Sequence, residues 1–335
     1  MKKTMLKSLL SAGIAACLPL VGHAQSVEQQ VAAHVAQARA LAGADHAFIF
    51  GQLCAGPIEA IHAAPVTEQV PGALPSIDPD RDWYAEPKQV FDELYFLGQT
   101  VFSVWGLKTP EGFILIDSIF DTTVEAEVVE GLRKLGMDPA DIRYVIISHA
   151  HGDHSGGAAI LQKLGAKIIM SEEDWDLYEN SSTAIKATRD IVATDGMAIT
   201  LGDTTVHVYK TPGHTHGTLS TVLPVHDKGV AHIAALWGGT LFNFRDDPND
   251  PRDLRLRDYA ESAARFRTIA ERENVDILLS NHTAYDGTTV KLAMLDQRQP
   301  GSAHPYVIGK DAVQRFLKVA NECALGARIS EAAQK

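Results

Sequence analysis

Cysteine is scarce in this 335-residue sequence, which contains three. No two of them have the close spacing of metal ligands, so a zinc knuckle built from cysteine thiolates is excluded. Acidic residues outnumber basic ones, 42 to 30, which gives a formal net charge of −12. This charge argues against a broad basic surface that would bind nucleic acid or an anionic membrane. With 45% hydrophobic and 21% charged residues and no low-complexity segment, the composition is that of a globular protein.

Long apolar runs are also missing, and the apolar stretch at 9–21 is too short to span a bilayer comfortably. It follows three lysines and precedes Ala24, which predicts a secretory signal peptide at 1–24 and a periplasmic or secreted protein without membrane insertion. Two alternatives stay open, namely a lipoprotein signal ending at Cys17 and an uncleaved amphipathic helix.

Cleavage after Ala24 would leave two cysteines, Cys54 and Cys323. In an oxidising compartment an even number of cysteines is compatible with a disulfide, here between an N-terminal extension and a C-terminal helix. Two buried thiols are the alternative.

Residues 25–88 form the predicted N-terminal extension, with an alanine-rich helix at 27–42 and a proline-rich connector at 65–87. Residues 89–335 form the predicted main domain, which ends in a helix. Runs rich in β-branched and aromatic residues predict its strands. These runs lie at 93–97, 101–105, 113–116, 144–147, 166–170, 199–210, 219–225, 230–236 and 275–279.

Helices alternate with these strands, which fall into two groups. The predicted helices lie at 123–135, 157–164, from Ser171 onward, at 258–273 and at 310–325. The charged segment 245–257, just before the helix at 258–273, is interpreted as a solvated loop near the rim of a functional site. This order is compatible with an α/β fold of two facing sheets covered by helices, an αββα sandwich.

A dense set of metal-binding side chains follows the predicted strand 144–147. It consists of His149, His151, Asp153 and His154. His214 follows a Pro-Gly turn, and His282 stands at the end of another strand. Imidazole nitrogens and carboxylate oxygens are zinc ligands, and donors on several strand ends favour a catalytic dinuclear site. A histidine-rich surface loop or a single structural metal are the alternatives.

These motifs resemble the metallo-β-lactamase superfamily: His-x-His-x-Asp-His at 149–154, Gly-His-Thr at 213–215, a late strand-end His282, and Asp117 after a strand. The resemblance extends from about residue 91 to the C-terminus. It implies two zinc ions per chain, one held by His149, His151 and His214 and the other by Asp153, His154 and His282. It also implies that Asp117 orients the ligand loop, although a plain turn carboxylate is the alternative.

Many superfamily hydrolases carry a bridging aspartate where this sequence has Gly239. Its absence, with histidine at 154 and 282, resembles the third zinc subclass of class B β-lactamases. Asn281 departs from the Pro-His-Pro context of that subclass, so cyclic esters stay open as substrates.

The resemblance therefore implies a secreted dizinc hydrolase in which metal-bound hydroxide opens a cyclic amide of a small-molecule substrate, best matched by β-lactam antibiotics. Asp153 would assist the departing group. Thr240 and Tyr285 are candidate substrate contacts or structural residues. A dizinc lactonase or esterase and a non-catalytic metal-binding protein are the alternative functions, and the oligomeric state is not predicted.

Overall fold

The structure is a computed structural model that describes residues 25–54, 83–181, 183, 185–244 and 247–334. The predicted signal peptide, most of the predicted connector 65–87 and residues 245 and 246 lie outside the described residues. Within the described ranges, no helix combines the length and the apolar character needed to cross a membrane.

The strands of the described chain form two sheets. The larger sheet contains, in spatial order, β1 (Lys88–Gln89), β2 (Leu94–Phe96), β3 (Trp105–Thr109), β4 (Gly112–Ile116), β5 (Ile142–Ile146), β6 (Lys167–Ser171) and β7 (Ile191–Ala193). The smaller sheet contains β8 (Met197–Leu201), β9 (Thr204–Lys210), β10 (Leu219–Asp227), β11 (Val230–Trp237) and β12 (Ile277–Ser280), with β12 beside β11. Strands β4 to β7 pair in parallel, and so do β11 and β12.

Helices occupy the outer surfaces and the connections. They are α1 (Val27–Ala42), α2 (Ala47–Cys54), α3 (Glu130–Lys134), α4 (Gly152–Ser155), α5 (Ala158–Lys163), α6 (Glu172–Glu179), α7 (Arg252–Arg272), α8 (Thr283–Asp286), α9 (Thr288–Asp296) and α10 (Lys310–Ala332). A π-helical turn, Glu125–Val129, leads into α3, and the 3-10 turn Pro139–Asp141 precedes β5. Ser171 caps α6 as predicted, because its side chain accepts a hydrogen bond from the Asp174 N–H.

Four layers result from the burial pattern. Ile114 and Ile146 of the larger sheet share a buried core with Leu223 and Leu279 of the smaller one, so the sheets pack face to face. The other face of the larger sheet packs against α3, α5 and α6, and that of the smaller sheet against α1, α2, α7 and α10. The predicted αββα sandwich is confirmed.

Besides the terminal helix, three predicted elements are wrong in their bounds. Residues 101–104 are not a strand; they are buried because they lie against the loop of His282, where the Ser103 N–H donates to the Asn281 carbonyl. The run 199–210 is a hairpin, since Gly202 turns the chain at a φ of +61°. The helix predicted at 258–273 begins at Arg252, so the predicted solvated loop is in part the first turn of α7.

Helices α1 and α2 of the predicted extension pack on α10, and the Cys54–Cys323 disulfide links α2 to α10. The contact with α1 accompanies a longer terminal helix than predicted, which runs to Ala332. Within this contact, His34 Nδ1 lies 2.6 Å from Glu322 Oε2.

Candidate metal centre

Strand ends bring the predicted metal donors to one edge of the sandwich. Because β4 and β5 are parallel neighbours, Asp117 and the loop that begins at Ile147 leave the sheet on the same side. His214 follows β9 of the other sheet, and His282 follows β12. A hydrogen bond from the Leu219 N–H to the Ser148 carbonyl, 2.8 Å, connects the two sheets at this edge.

Asp117 is fully buried beneath the histidine loop, with a φ of +65°. Its Oδ1 accepts a hydrogen bond from the Ser148 N–H at 2.7 Å. Its Oδ2 accepts one from the Ser148 hydroxyl at 2.9 Å and lies 2.9 Å from Nδ1 of His154. A single carboxylate therefore fixes both the start of the loop and the orientation of one imidazole.

The first donor group consists of His149, His151 and His214. Nε2 of His214 lies 3.0 Å from Nε2 of His149 and 3.1 Å from Nδ1 of His151. On their other nitrogens, His149 and His214 lie 2.9 and 2.8 Å from the carbonyls of Gly238 and Leu241, so each Nδ1 carries the proton. Their Nε2 lone pairs then face each other at hydrogen-bond distance with no proton between them, an arrangement that a cation stabilises.

The second donor group consists of Asp153, His154 and His282. Nε2 of His154 lies 3.1 Å from Nε2 of His282 and 3.2 Å from Oδ2 of Asp153. Burial lowers the pKa of His154, but Asp153 and Asp117 outweigh burial and raise that pKa to about 10. A metal ion bound at Nε2 would displace this proton, as metal binding to histidine generally does.

Both groups fit a zinc ion by their donor chemistry and spacing. A metal–nitrogen distance of about 2.0–2.1 Å in a tetrahedral site corresponds to about 3.3 Å between neighbouring ligand atoms. The five separations measured within the two groups, 3.0–3.6 Å, are close to this value. The groups are adjacent, because the ring centroids of His149 and His154 lie 4.3 Å apart.

Burial keeps three of the imidazoles in the form that binds metal. It lowers the pKa of His149 well below its usual value, and neighbouring imidazoles act in the same direction. Burial and the neighbouring imidazoles also lower the pKa values of His214 and His282, in each case to about 3. All three are therefore neutral near pH 7.

Sequence reasoning missed the support beneath the first group. The Asn281 side-chain amide donates to the Ser148 hydroxyl at 3.0 Å and to the Gly238 carbonyl at 2.8 Å, the same carbonyl that orients His149. In the sequence, Asn281 is noticeable only because it precedes His282 where the resemblance implies proline. That departure from the motif does not reveal the contacts with Ser148 and Gly238.

Gly239 is the residue at which the resemblance places the bridging aspartate of many related hydrolases. A Cβ atom there would lie 2.5 Å from Cβ of His214, so the backbone at 239 contacts a donor histidine and leaves no space for a side chain. The hydroxyls of Thr240 and Tyr285 are buried without a hydrogen-bond partner in the described chain, and the Tyr285 ring packs edge-on against His282, with centroids 5.9 Å apart. Substrate contact by either residue stays a prediction.

Residues 96–227 match the model of the metallo-beta-lactamase superfamily. Together with the two facing sheets and the two donor groups, this match shows that the matched segment belongs to a metallo-β-lactamase superfamily domain. Its structural neighbours include a subclass B3 metallo-β-lactamase and other metallo-β-lactamases. BJP-1 of Bradyrhizobium japonicum has 26% identity and a TM-score of 0.64, covering 75% of this chain and 97% of that one. FEZ-1 of Legionella gormanii has 25% identity and a TM-score of 0.62, covering 71% and 94%.

Curated relatives match a shorter part of the chain. A hydroxyacylglutathione hydrolase from Maricaulis maris is 29% identical over 172 residues, 46% of this chain and 62% of the relative. An N-acyl homoserine lactonase from a Bacillus species is 28% identical over 129 residues, 37% and 50% respectively. The chain thus spans about half to three-fifths of the length of these two relatives.

Proposed function

We propose that the protein is a dizinc hydrolase that opens the cyclic amide of β-lactams. The observation that carries this proposal is the pair of adjacent three-residue donor groups, with histidine at 154 and 282 and glycine at 239. This donor set resembles that of the third zinc subclass of class B β-lactamases. The likeness to BJP-1, a subclass B3 metallo-β-lactamase, and to the metallo-β-lactamase FEZ-1 over more than 70% of the chain supports the proposal.

In the proposed reaction, water adds across the amide bond: its oxygen joins the carbonyl carbon, the C–N bond breaks, and nitrogen takes a proton. Two bound zinc ions would polarise the carbonyl and activate water. The protein holds the donors, with Asp117 and the carbonyls of Gly238 and Leu241 fixing three imidazoles. Burial raises the pKa of Asp153, but His154 and His282 outweigh burial and lower it, so the carboxylate stays ionised. Its side chain is 23% exposed, and it would accept a hydrogen bond from the nitrogen once that atom has taken its proton from the added water.

A dizinc lactonase is the second candidate, supported by the likeness to an N-acyl homoserine lactonase. The same donor groups suit a cyclic ester, because the carbonyl chemistry is shared and only the leaving atom differs. A metal-binding protein without catalysis is the alternative from another class.

The test compares turnover of a penicillin, a cephalosporin, a carbapenem, an acyl homoserine lactone and a thioester by the zinc-loaded protein. We expect β-lactam hydrolysis that EDTA abolishes, that His149→Ala lowers by at least about 100-fold, and that His207→Ala retains. His207 is the matched control, because it lies in β9 and stacks on Tyr209 outside both donor groups. Lactone turnover without β-lactam turnover would favour the second candidate. No turnover with zinc bound would favour the non-catalytic alternative.

We also propose that the protein is exported and cleaved after Ala24, from the lysines and apolar stretch at its N-terminus. Expression in a bacterial host should place the mature chain in the periplasm with Gln25 as its first residue. A lipid-modified N-terminus at Cys17, or an intact Met1 in the cytoplasm, would contradict this proposal. N-terminal sequencing and mass spectrometry of fractionated cells distinguish the three.

A further inference from the structure

A buried guanidinium lies directly behind the loop that carries His214. Arg255, in the first part of α7, is 8% exposed. Its Nε and Nη2 donate to the Gly213 carbonyl at 3.0 and 2.8 Å, and Nη2 also donates to the His214 carbonyl at 2.7 Å. Two consecutive carbonyls of the loop are therefore held by one planar side chain.

Arg255 is itself fixed on its other side. Its Nη1 donates to Oδ2 of Asp250 at 2.7 Å and lies 3.1 Å from Nε2 of His216. The guanidinium also lies over the Phe244 ring, 5.0 Å from its centroid. With three sides of the group occupied, the side chain has little freedom to move, and the loop it holds shares that restriction.

The loop approaches α7 closely at a second point. Gly213 has a φ of +146°, and a Cβ atom there would lie 2.6 Å from Cα of Tyr259. His214 is thus held through its backbone by α7 and through Nδ1 by the Leu241 carbonyl. These restraints together direct Nε2 toward His149 and His151.

We propose that Arg255 is a positioning residue for the first metal site: without contacting the ion, it holds the His214 backbone where the ring completes the first donor group. This inference rests on the proposed two-zinc function. Losing the guanidinium would leave two buried loop carbonyls without these donors, and the loop would relax away from the site. Outer contacts of this kind typically change metal affinity by about 10- to 100-fold.

The test measures zinc affinity with a competing chelator in a His282→Ala background, where only the first group remains complete. We expect Arg255→Met to weaken this binding by about 10- to 100-fold. Arg255→Lys should give a smaller loss, since lysine keeps the charge beside Asp250 but not the planar fork. In a His149→Ala background, which isolates the second group, the Arg255 variants should bind zinc as the parent does.

Arg252→Met is the matched control. Arg252 lies on the same helix turn, lies over the same Phe244 ring and is partly buried, but it pairs with Glu331 and donates to the Phe244 carbonyl. It should leave both affinities within about twofold, well inside the expected effect. If Arg255→Met folds and its zinc affinity at the first site is unchanged, the inference is overturned and the proposed function stands. If Arg255→Met does not fold, an unchanged affinity in Arg255→Lys has the same meaning. Equal weakening of both sites would also overturn it, and a wild-type protein that binds no zinc would overturn the proposed function as well.

Discussion

Three imidazoles at the centre, those of His149, His154 and His214, are oriented by the hydrogen-bond partner of their second nitrogen. Nδ1 of His149 and His214 meets a neutral backbone carbonyl, whereas Nδ1 of His154 meets the buried carboxylate of Asp117. A carboxylate partner makes the imidazole a stronger electron donor than a carbonyl does. The second donor group is therefore the one that a single charge-removing substitution should affect most.

Replacing Asp117 by asparagine should lower zinc affinity at the second group by about 10- to 100-fold and affect the first group less. If the single amide oxygen keeps the bond from the Ser148 N–H, the amide NH2 takes the place of Oδ2 and cannot accept a hydrogen bond from the His154 N–H. Chelator competition in the His149→Ala background measures the effect. Asp203→Asn, in the exposed turn at the far end of β9, is the control, and an affinity in Asp117→Asn equal to that of the control would refute the role assigned to Asp117.

A methyl group at Gly239 should displace His214, because the added Cβ would lie within 2.8 Å of three atoms of that side chain. We expect Gly239→Ala to weaken first-site zinc binding at least about tenfold, a loss comparable to removing an outer contact. Gly51→Ala in α2, where a Cβ meets no atom within 4 Å, should bind zinc normally. Normal zinc binding by Gly239→Ala would show that the loop adapts, and the close contact would then not explain the missing aspartate.

The donor residues could be predicted from sequence because four of them lie within six positions after one strand, a local pattern. Arg255 and Asn281 could not, since their roles arise from contacts with residues 41 and 133 positions away. A buried arginine and an ordinary solvated one look alike in a charged segment. Only the packing of α7 on the His214 loop distinguishes them.

Among helices and strands, the error at residues 101–104 has a clear physical source. Residues 101–104 are as apolar as a strand, yet they lie buried against the loop of His282 and form one isolated bridge there, between Phe102 and His282, in place of a strand ladder. Apolar periodicity reports burial, and burial alone does not specify hydrogen-bond partners. The ends of the three strands that lead into the donors, β5, β9 and β12, are predicted to within one residue, because polar residues follow each apolar run.

The disulfide between α2 and α10 should stabilise the fold without acting on the metal groups. Removing it with Cys54→Ser and Cys323→Ser should lower the free energy of unfolding by about 2–5 kcal/mol, the usual range for a lost disulfide. Chemical denaturation measures this, and zinc stoichiometry should stay unchanged. Reductant should destabilise the wild type by a similar amount and the double variant not at all; equal stability of the two oxidised proteins would contradict the prediction.

For the molecule as a whole, stability should depend on pH through Asp174, a buried carboxyl that accepts a hydrogen bond from Thr215 beside the His214 loop. Burial raises its pKa to about 7, against about 3.9 in an unfolded chain. Between these values the unfolded state loses its proton first, so rising pH favours unfolding. The destabilising contribution of Asp174 is therefore complete above about pH 7 and absent below about pH 4.

Asp174→Asn should therefore gain stability relative to wild type as pH rises from about 4 to 7.5, by up to roughly 4 kcal/mol. The amide keeps an acceptor for the Thr215 hydroxyl and has no charge to bury. Denaturation of chelator-treated protein across this pH range measures the difference without zinc linkage. Asp176→Asn, an exposed neighbour paired with Arg189, is the control. A constant difference between Asp174→Asn and wild type at all pH values would rule out Asp174 as the source.

The whole fold was predictable only through the donor motif, because apolar periodicity alone is shared by many α/β arrangements. The packing of α1 and α2 on α10 was suggested by the two cysteines and by no other feature of the sequence. Substrate choice depends on loop shapes near the site, which neither periodicity nor spacing describes.

Zinc stoichiometry of purified protein tests the account most directly. We expect two zinc ions per wild-type chain, one in His149→Ala, one in His282→Ala and two in the His207→Ala control, measured by elemental analysis after dialysis against a weak chelator. Fewer than two ions in the wild type, or two ions retained in both donor variants, would contradict the assignment of two separate three-residue groups.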